Sequence, residues 1–305
     1  MTADRDTIPG ISIEVHDLIG VRGQLPAIGL QSPRRRTSIR PGARVYRNRG
    51  RGMEYEESRA YVSGDDVRTM DWRVMARTGD AHTKIFAEEK ERRYLLAIDL
   101  SASMFFGTHY SFKSWTASHT AAHLGWLASR SGDRLGGLIV APQSHCEVRP
   151  GKTRTSLLAV FHHLAGISRI PQPDAAESRL NFLLQELRRV VKPGSIVNLI
   201  SDFVGLDEVS AEHLSTLTRH NEVNAFWIYD KIETAPWRPG RYPVRIDDAE
   251  VDLYPGSART RQWLQQRQSD YREGLEALTG RFDIPLFPIS CNRPVAAQLA
   301  QYLGA

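Results

Sequence analysis

Residues 94–104 read YLLAIDLSASM. Tyr94 to Ile98 form a short, nearly unbroken apolar run, the pattern of a central strand covered on both faces. The run ends on Asp99, and Ser101 and Ser103 follow at alternate positions. Three small oxygen-bearing side chains at the end of such a strand can turn to one point.

Outward from this stretch, helical and extended patterns alternate. SFKSWTASHTAAHLGWLASRSGD predicts a helix ending near Gly132, and RLGGLIVAP a second strand. HCEVRPG reads as an edge strand, and TSLLAVFHHLAGI as an amphipathic helix with Leu157, Leu158, Phe161 and Leu164 on one side. A helix from about Ser178 to Val191 is stopped by Pro193 and Gly194. SIVNLISD is a strand that again ends on an aspartate, Asp202. A helix from about Asp207 to His220 leads to the strand EVNAFWIYD. Residues 231–256, rich in Pro, Gly and Arg, read as a hairpin insertion. A long helix, the strand IPLFPIS and a last helix from Pro294 complete the chain.

This alternation predicts an α/β fold: a doubly wound, mainly parallel sheet with helices on both faces. Ligands of such sheets gather at the carboxyl ends of the strands. Asp99 and Asp202 both end strands and so belong to the same rim. With a strand order of the 3-2-1-4-5 kind the two carboxylates converge. Carboxylates with neutral hydroxyls suit a hard cation, Mg²⁺ first, with Mn²⁺ or Ca²⁺ as alternatives. The other reading has Asp99 capping the next helix and the serines tying down the loop.

DLSASM resembles the Asp-x-Ser-x-Ser motif of von Willebrand factor A domains, the metal-ion-dependent adhesion site. EYEESRAYVSGDDVRTMDWRVMART resembles the Gly-Asp-Asp-x-Arg-x-x-Asp-Trp signature of a bacterial family called domain of unknown function fifty-eight. SMFFG, Lys113, SGDRLGGLIV and KPGSIVNLISDFVGLD continue the match, so the resemblance covers roughly Gly42 to Leu303. It implies an A-type sheet and a metal-dependent adaptor in protein assembly or maturation. The implied partner is a MoxR-type AAA ATPase or its client, and no settled enzymatic activity comes with it. Adhesion-type sites also use a threonine from a loop between the two aspartates. The expected metal ligands are therefore Asp99, Ser101, Ser103, Thr155 and Asp202. Thr153 is an alternative to Thr155, and a cap is the other role for Thr155. Lys152 and Arg154 beside them oppose a cation.

Before about residue 91 the chain is rich in Arg and Gly, with extended pieces such as ARVYR and AHTKIFAEE. The expected organisation is a basic, β-rich region over 1–91 and the A-like domain over 92–305. In GDDVRTMDWR and just beyond it, Asp65, Asp66 and Asp71 alternate with Arg68, Arg73 and Arg77. That segment predicts an ion-pair network pinning this region to the sheet, with Trp72 as packed anchor. A partner-facing surface is the alternative.

The net charge is +5, and no acidic residue occurs from Leu18 to Met53, where nine arginines lie. Such a block can neutralise phosphates, but no recognisable nucleic-acid motif accompanies it. No apolar run approaches the roughly 18 residues needed to span a bilayer. MTADRDTIPG lacks the features of a secretory signal. Two distant cysteines, Cys146 and Cys291, imply no disulfide framework. Together these predict a cytoplasmic protein. GKT at Gly151 lacks the earlier glycine of a phosphate loop. His119 and His123 are four apart on a helix, but Thr120 stands where a zincin has glutamate, so surface or partly buried histidines are expected. The expected function is a non-enzymatic, metal-dependent protein-binding module. A metal-dependent hydrolase using the same site, or a basic nucleic-acid binder, is the rival.

Overall fold

The computed structural model describes residues 10–24, 53–62, 68, 70–88, 92–168, 178–238, 240–246 and 249–303. ARVYR, Asp65, Asp66 and the arginines from Arg34 to Arg51 lie outside them, as does the side chain of Thr153. The elements in chain order are α1 (Val15–Gly20), β1 (Met53–Ala60), α2 (Trp72–Thr78), β2 (His82–Glu88), β3 (Arg93–Asp99) and α3 (Lys113–Arg130). Then come β4 (Arg134–Val140), β5 (His145–Gly151), α4 (Thr153–Ser168), α5 (Leu180–Val190), β6 (Ile196–Ser201), α6 (Glu208–Thr218) and β7 (Glu222–Tyr229). The hairpin β8 (Tyr242–Ile246) and β9 (Ala249–Leu253), α7 (Ala258–Arg281), β10 (Leu286–Ser290) and α8 (Val295–Leu303) complete it.

The central sheet has the order β10-β7-β6-β3-β4-β5. Every pairing is parallel except β4 with β5. This is the mainly parallel, doubly wound sheet that the alternating pattern predicts. Side chains alternate across it as a strand's period of two requires. Leu96 and Ile98 join a core with residues of α1, α3, α4 and α8. Leu95 and Ala97 join the opposite core with residues of α5, α6 and α7. On α4, Leu157, Phe161 and Leu164 are fully buried, as their spacing predicts, and each contributes about 1.5–3 kcal/mol of burial. Gly125 lets α3 and α4 cross closely, since a Cβ there would meet Leu157.

The chain divides into two compact units, one of residues 1–31 with 92–305 and one of residues 32–91. The structure therefore divides the single region expected over 1–91. Ile13, Leu18 and Val21 are buried in the sheet's core because α1 and the turn after it are apolar on one side. In the smaller unit β1 pairs antiparallel with β2, and α2 lies between them in sequence. Asp71 caps α2, accepting from the backbone N–H of Arg73 and Val74, and also accepts from Ser58 Oγ. Trp72 is 60% exposed, which corrects the packed anchor expected there. Its neighbour's carboxylate serves the helix end, and the indole is left facing outward.

His119 is partly buried, as expected, whereas His123 is more buried than that expectation allows. His123 is 2% exposed, and its Nδ1–H donates to His119 O, so Nε2 carries the lone pair. Nε2 of both rings is buried without a hydrogen-bond partner among the described residues. Burial pushes His119 down to about 3, helped by His123, and burial also lowers His123. A histidine held neutral in the fold binds a proton more readily when unfolded, so its contribution to stability is lost as pH falls through about 6.5. Lowering the pH from 7 to 6 should therefore cost about 1 kcal/mol, more steeply below. Urea midpoints at the two pH values check this. In His123→Gln about half of the difference should vanish; an unchanged difference would assign it elsewhere.

Candidate metal centre

Three adjacent parallel strands deliver aspartates to one rim of the sheet. Asp99 ends β3, Asp202 follows β6 and Asp230 follows β7; all three are at most 2% exposed. Each carboxylate is held differently. Asp99 Oδ1 accepts from the backbone N–H of Ser101 at 2.9 Å and from Ser101 Oγ at 2.5 Å. Asp99 Oδ2 accepts from Ser201 Oγ at 2.7 Å. Burial and the nearby Asp202 charge, offset in part by these bonds, push Asp99 up to about 6. Asp99 and Asp202 thus stand at the same ends of two neighbouring parallel strands, β3 and β6.

Asp202 sits on a tight bend. The next residue, Phe203, is buried with φ of 58°, a region that bulky side chains rarely enter. Such a residue costs about 1–2 kcal/mol. Its N–H donates to Ser201 Oγ, so the hydroxyl that holds Asp99 also holds the bend. Tyr271 on α7 donates to Asp202 O.

Lys113, the first residue of α3, is 2% exposed. Its Nζ lies 2.8 Å from Asp202 Oδ2 and 2.6 Å from Glu233 Oε1. Burial works against the ammonium, but Asp202 and Glu233 together outweigh it and push its pKa up. A cation at the positive end of an 18-residue helix is also misplaced by a few tenths to about 1 kcal/mol. Two charge-assisted bonds exceed that. Glu233 Oε2 accepts from the Asp230 N–H, while Asp230 accepts from the Thr108 N–H and Oγ1. Loops after β3, β6 and β7 and the start of α3 are thus joined in one network that is buried except at Glu233.

Ser101 is 2% exposed, and Ser103 lies on the short 3-10 turn that follows it. Ser103 Oγ is buried and has no hydrogen-bond partner among the described residues. That orphaned hydroxyl, on the turn directly after the strand that ends on Asp99, fits a hard cation. Asp99, Ser101, Ser103 and Asp202 would hold it.

Thr155 does not belong to this set. It is exposed in the first turn of α4, which follows β5. β5 runs against β4, so Gly151 pairs with Leu135, whereas Asp99 pairs with Val140. Five residues of strand separate those positions, about 17 Å. Thr153 and Thr155 therefore start from the opposite rim. The loop that does reach the site is the one before α5. Arg179 N–H donates to Ser101 Oγ at 3.2 Å, and Ser178 Oγ donates to Val204 O at 2.5 Å.

Asp230, Glu233, Ser201 and the loop at Ser178 were not anticipated as site residues. For Asp230 the signal was present, since EVNAFWIYD ends on an aspartate as the other two strands do.

The sequence profile of a family described as Protein of unknown function DUF58 matches residues 57–273. The chain belongs to this family. The DUF58 chain is 36% identical over 159 residues to the uncharacterized proteins Rv1480 of Mycobacterium tuberculosis and Mb1516 of Mycobacterium bovis. That match takes in 51% of this chain and 49% of each relative, so the DUF58 chain spans about half the length of the curated relatives it matches. Among solved structures it resembles the conserved hypothetical protein BatB from Bacteroides thetaiotaomicron, at 10% identity and a TM-score of 0.41. That likeness covers 69% of this chain and 95% of that one. A von Willebrand factor type A structure from Catenulispora acidiphila is similar at 14% identity and a TM-score of 0.37, covering 73% of this chain and 44% of that one. No described helix of the DUF58 chain is long and apolar enough to cross a membrane.

Proposed function

We propose that this protein is a non-enzymatic, divalent-metal-dependent protein-binding adaptor. Its proposed partner is a MoxR-type AAA ATPase or that ATPase's client, in protein assembly or maturation, with the cytoplasm as its compartment. The partner assignment rests on the family resemblance alone. The observation that carries the metal reading is the orphaned, buried Ser103 Oγ on the turn after Asp99, at the rim that Asp202 reaches from the neighbouring strand.

A bound Mg²⁺ would supply a positive pole at the rim for an acidic group of the partner. The chain's own groups set the frame. Ser201 and the Ser101 N–H aim Asp99, and Lys113 with the Val204 N–H aims Asp202. The serine hydroxyls add donors without adding charge.

Titration calorimetry with Mg²⁺ and Mn²⁺ tests the site. Heat is expected from the parent, none from Asp99→Ala, weaker heat from Ser103→Ala and unchanged heat from Thr155→Ala. No heat from the parent, with or without the ATPase, sinks the metal reading. A pull-down with and without chelator tests the partner. Turnover of phosphoesters or peptides that disappears in Asp99→Ala would replace the adaptor with a hydrolase.

A further inference from the structure

Two apolar side chains stand exposed at the aspartate rim. Phe106, on the loop after β3, is 42% exposed, and Val204, on the loop after β6, is 39% exposed. Both lie next to Asp202. The Val204 N–H donates to Asp202 Oδ1 at 3.2 Å, and the Lys113 Nζ that pairs with Asp202 is 5.9 Å from the centre of the Phe106 ring. Neither residue is on a loose tip. The strained bend at Phe203 buries that ring and leaves Val204 facing out. Three elements hold the bend: Ser201 Oγ accepts from the Phe203 N–H, Ser178 Oγ donates to Val204 O, and Tyr271 donates to Asp202 O. The Phe106 loop is held as firmly. Phe106 O accepts from the Lys113 N–H at 2.8 Å, Thr108 is bonded to Asp230, and a Cβ on Gly107 would meet the Ser111 carbonyl. Backbone strain that its surroundings over-determine is a mark of functional sites.

Arg179, next in sequence to the Ser178 that holds Val204, presents a fixed guanidinium at the same rim. It is half-buried; its Nη1 donates to Ala141 O at 2.7 Å and to Ser144 O at 3.2 Å, and its guanidinium lies 4.3 Å from the centre of the Phe182 ring. No carboxylate pairs with it among the described residues. Nε and Nη2 form the edge that takes a carboxylate through two parallel bonds. We propose that this rim binds an extended segment of a protein partner. The segment carries a bulky apolar side chain, seated on Phe106 and Val204, and a carboxylate, held by Arg179. Arg179 reaches the end of β4 and Val204 follows β6, with β3 between them, so the two points are two strand spacings apart, about 10 Å. An extended segment covers that distance in about three residues. Anchors that are already rigid lose little freedom on binding, and a few such anchors carry most of an interface's energy. The proposal rests on the adaptor reading of this rim and adds the chemistry of the partner.

Selection from a random peptide library displayed on phage, with the full chain as bait and Mg²⁺ present, tests this. Enriched peptides should share a bulky apolar residue and an aspartate or glutamate about three positions apart. A synthetic copy of the most enriched peptide should lose about tenfold in affinity for Phe106→Ser and for Arg179→Gln. Exchanging the peptide's acidic residue for its amide should cost the parent a similar factor and cost Arg179→Gln almost nothing more, which a merely structural role of Arg179 would not produce. No enrichment overturns the proposal, as do enriched peptides without an acidic residue. An amide exchange that costs the parent and Arg179→Gln alike overturns it too. The Mg²⁺ titration is read separately. Heat from the parent with no enriched peptide sinks this proposal and not the metal site, whereas peptides bound without Mg²⁺ heat uphold the surface and remove the metal.

Discussion

Replacing Lys113 with methionine is expected to destabilise the fold by about 3–5 kcal/mol, the cost of breaking a buried ion pair from one side. Methionine matches the lysine stem in length and shape, so little packing is lost. The ammonium that balances Asp202 and Glu233 is lost. Asp202 is the costlier partner to strand, since its side chain is 3% exposed while that of Glu233 is 34% exposed and can be hydrated. In a domain of this size the loss amounts to a fall of roughly 10 °C in melting temperature. Adding Asp202→Asn to Lys113→Met should recover part of it, because no unbalanced charge then remains at that position. If Lys113→Met melts within about 2 °C of the parent, the ammonium is not the charge that holds the rim together. A divalent ion offers a further check. Mn²⁺ should raise the melting temperature of Lys113→Met more than that of the parent, since it would replace the missing positive charge.

Asp99→Asn should have the opposite sign. The parent carboxylate is fully buried and is pushed up to about 6 by that burial and by Asp202. Its folded pKa lies above its unfolded value near 3.8, so the native state holds this proton more tightly. The full cost of the charge is present above about pH 6 and is relieved as pH falls from 6 toward 4. A displacement of about two pKa units corresponds to on the order of 3 kcal/mol. Asparagine can keep the present bonds: its oxygen accepts from Ser101, and its amide donates to Ser201 Oγ. The variant should therefore be more stable than the parent at pH 8 in the absence of divalent ions, with the advantage shrinking at pH 5. The same substitution should abolish the heat of Mg²⁺ binding. Urea denaturation at the two pH values measures the first effect. A variant less stable than the parent at pH 8 would mean that hydrogen bonds to the ionised carboxylate outweigh its burial. Stability gained where metal binding is lost is the pattern of a site kept for binding at the expense of the fold.

The central features were legible in the chain because they are local. An apolar run five residues long, ending on a polar residue, states both a buried strand and the rim it reaches. This holds for YLLAID; in SIVNLISD Asn198 breaks the apolar run, but the segment still ends on an aspartate. The long helical periods likewise placed α3, α4 and α7. Asp230 could have been found by the same rule. Thr155 shows where local reading stops: its position depends on the direction of β5, and antiparallel pairing with β4 carries the start of α4 to the far rim. The full burial of His123 depended on what packs against α3.

By itself the sequence determined the alternation of strands and helices, the doubly wound class, and the two aspartates at one rim. Hydrophobic period and strand-ending residues are properties of a few neighbours. Only the tertiary structure decided which loop stands third at the site, that Lys113 supplies a buried positive charge there, and that Phe106 and Val204 stand next to the same aspartate. Those arrangements join residues as distant as Lys113 and Glu233, 120 positions apart, and are set by strand direction and by which helices share a face. No local pattern carries that information.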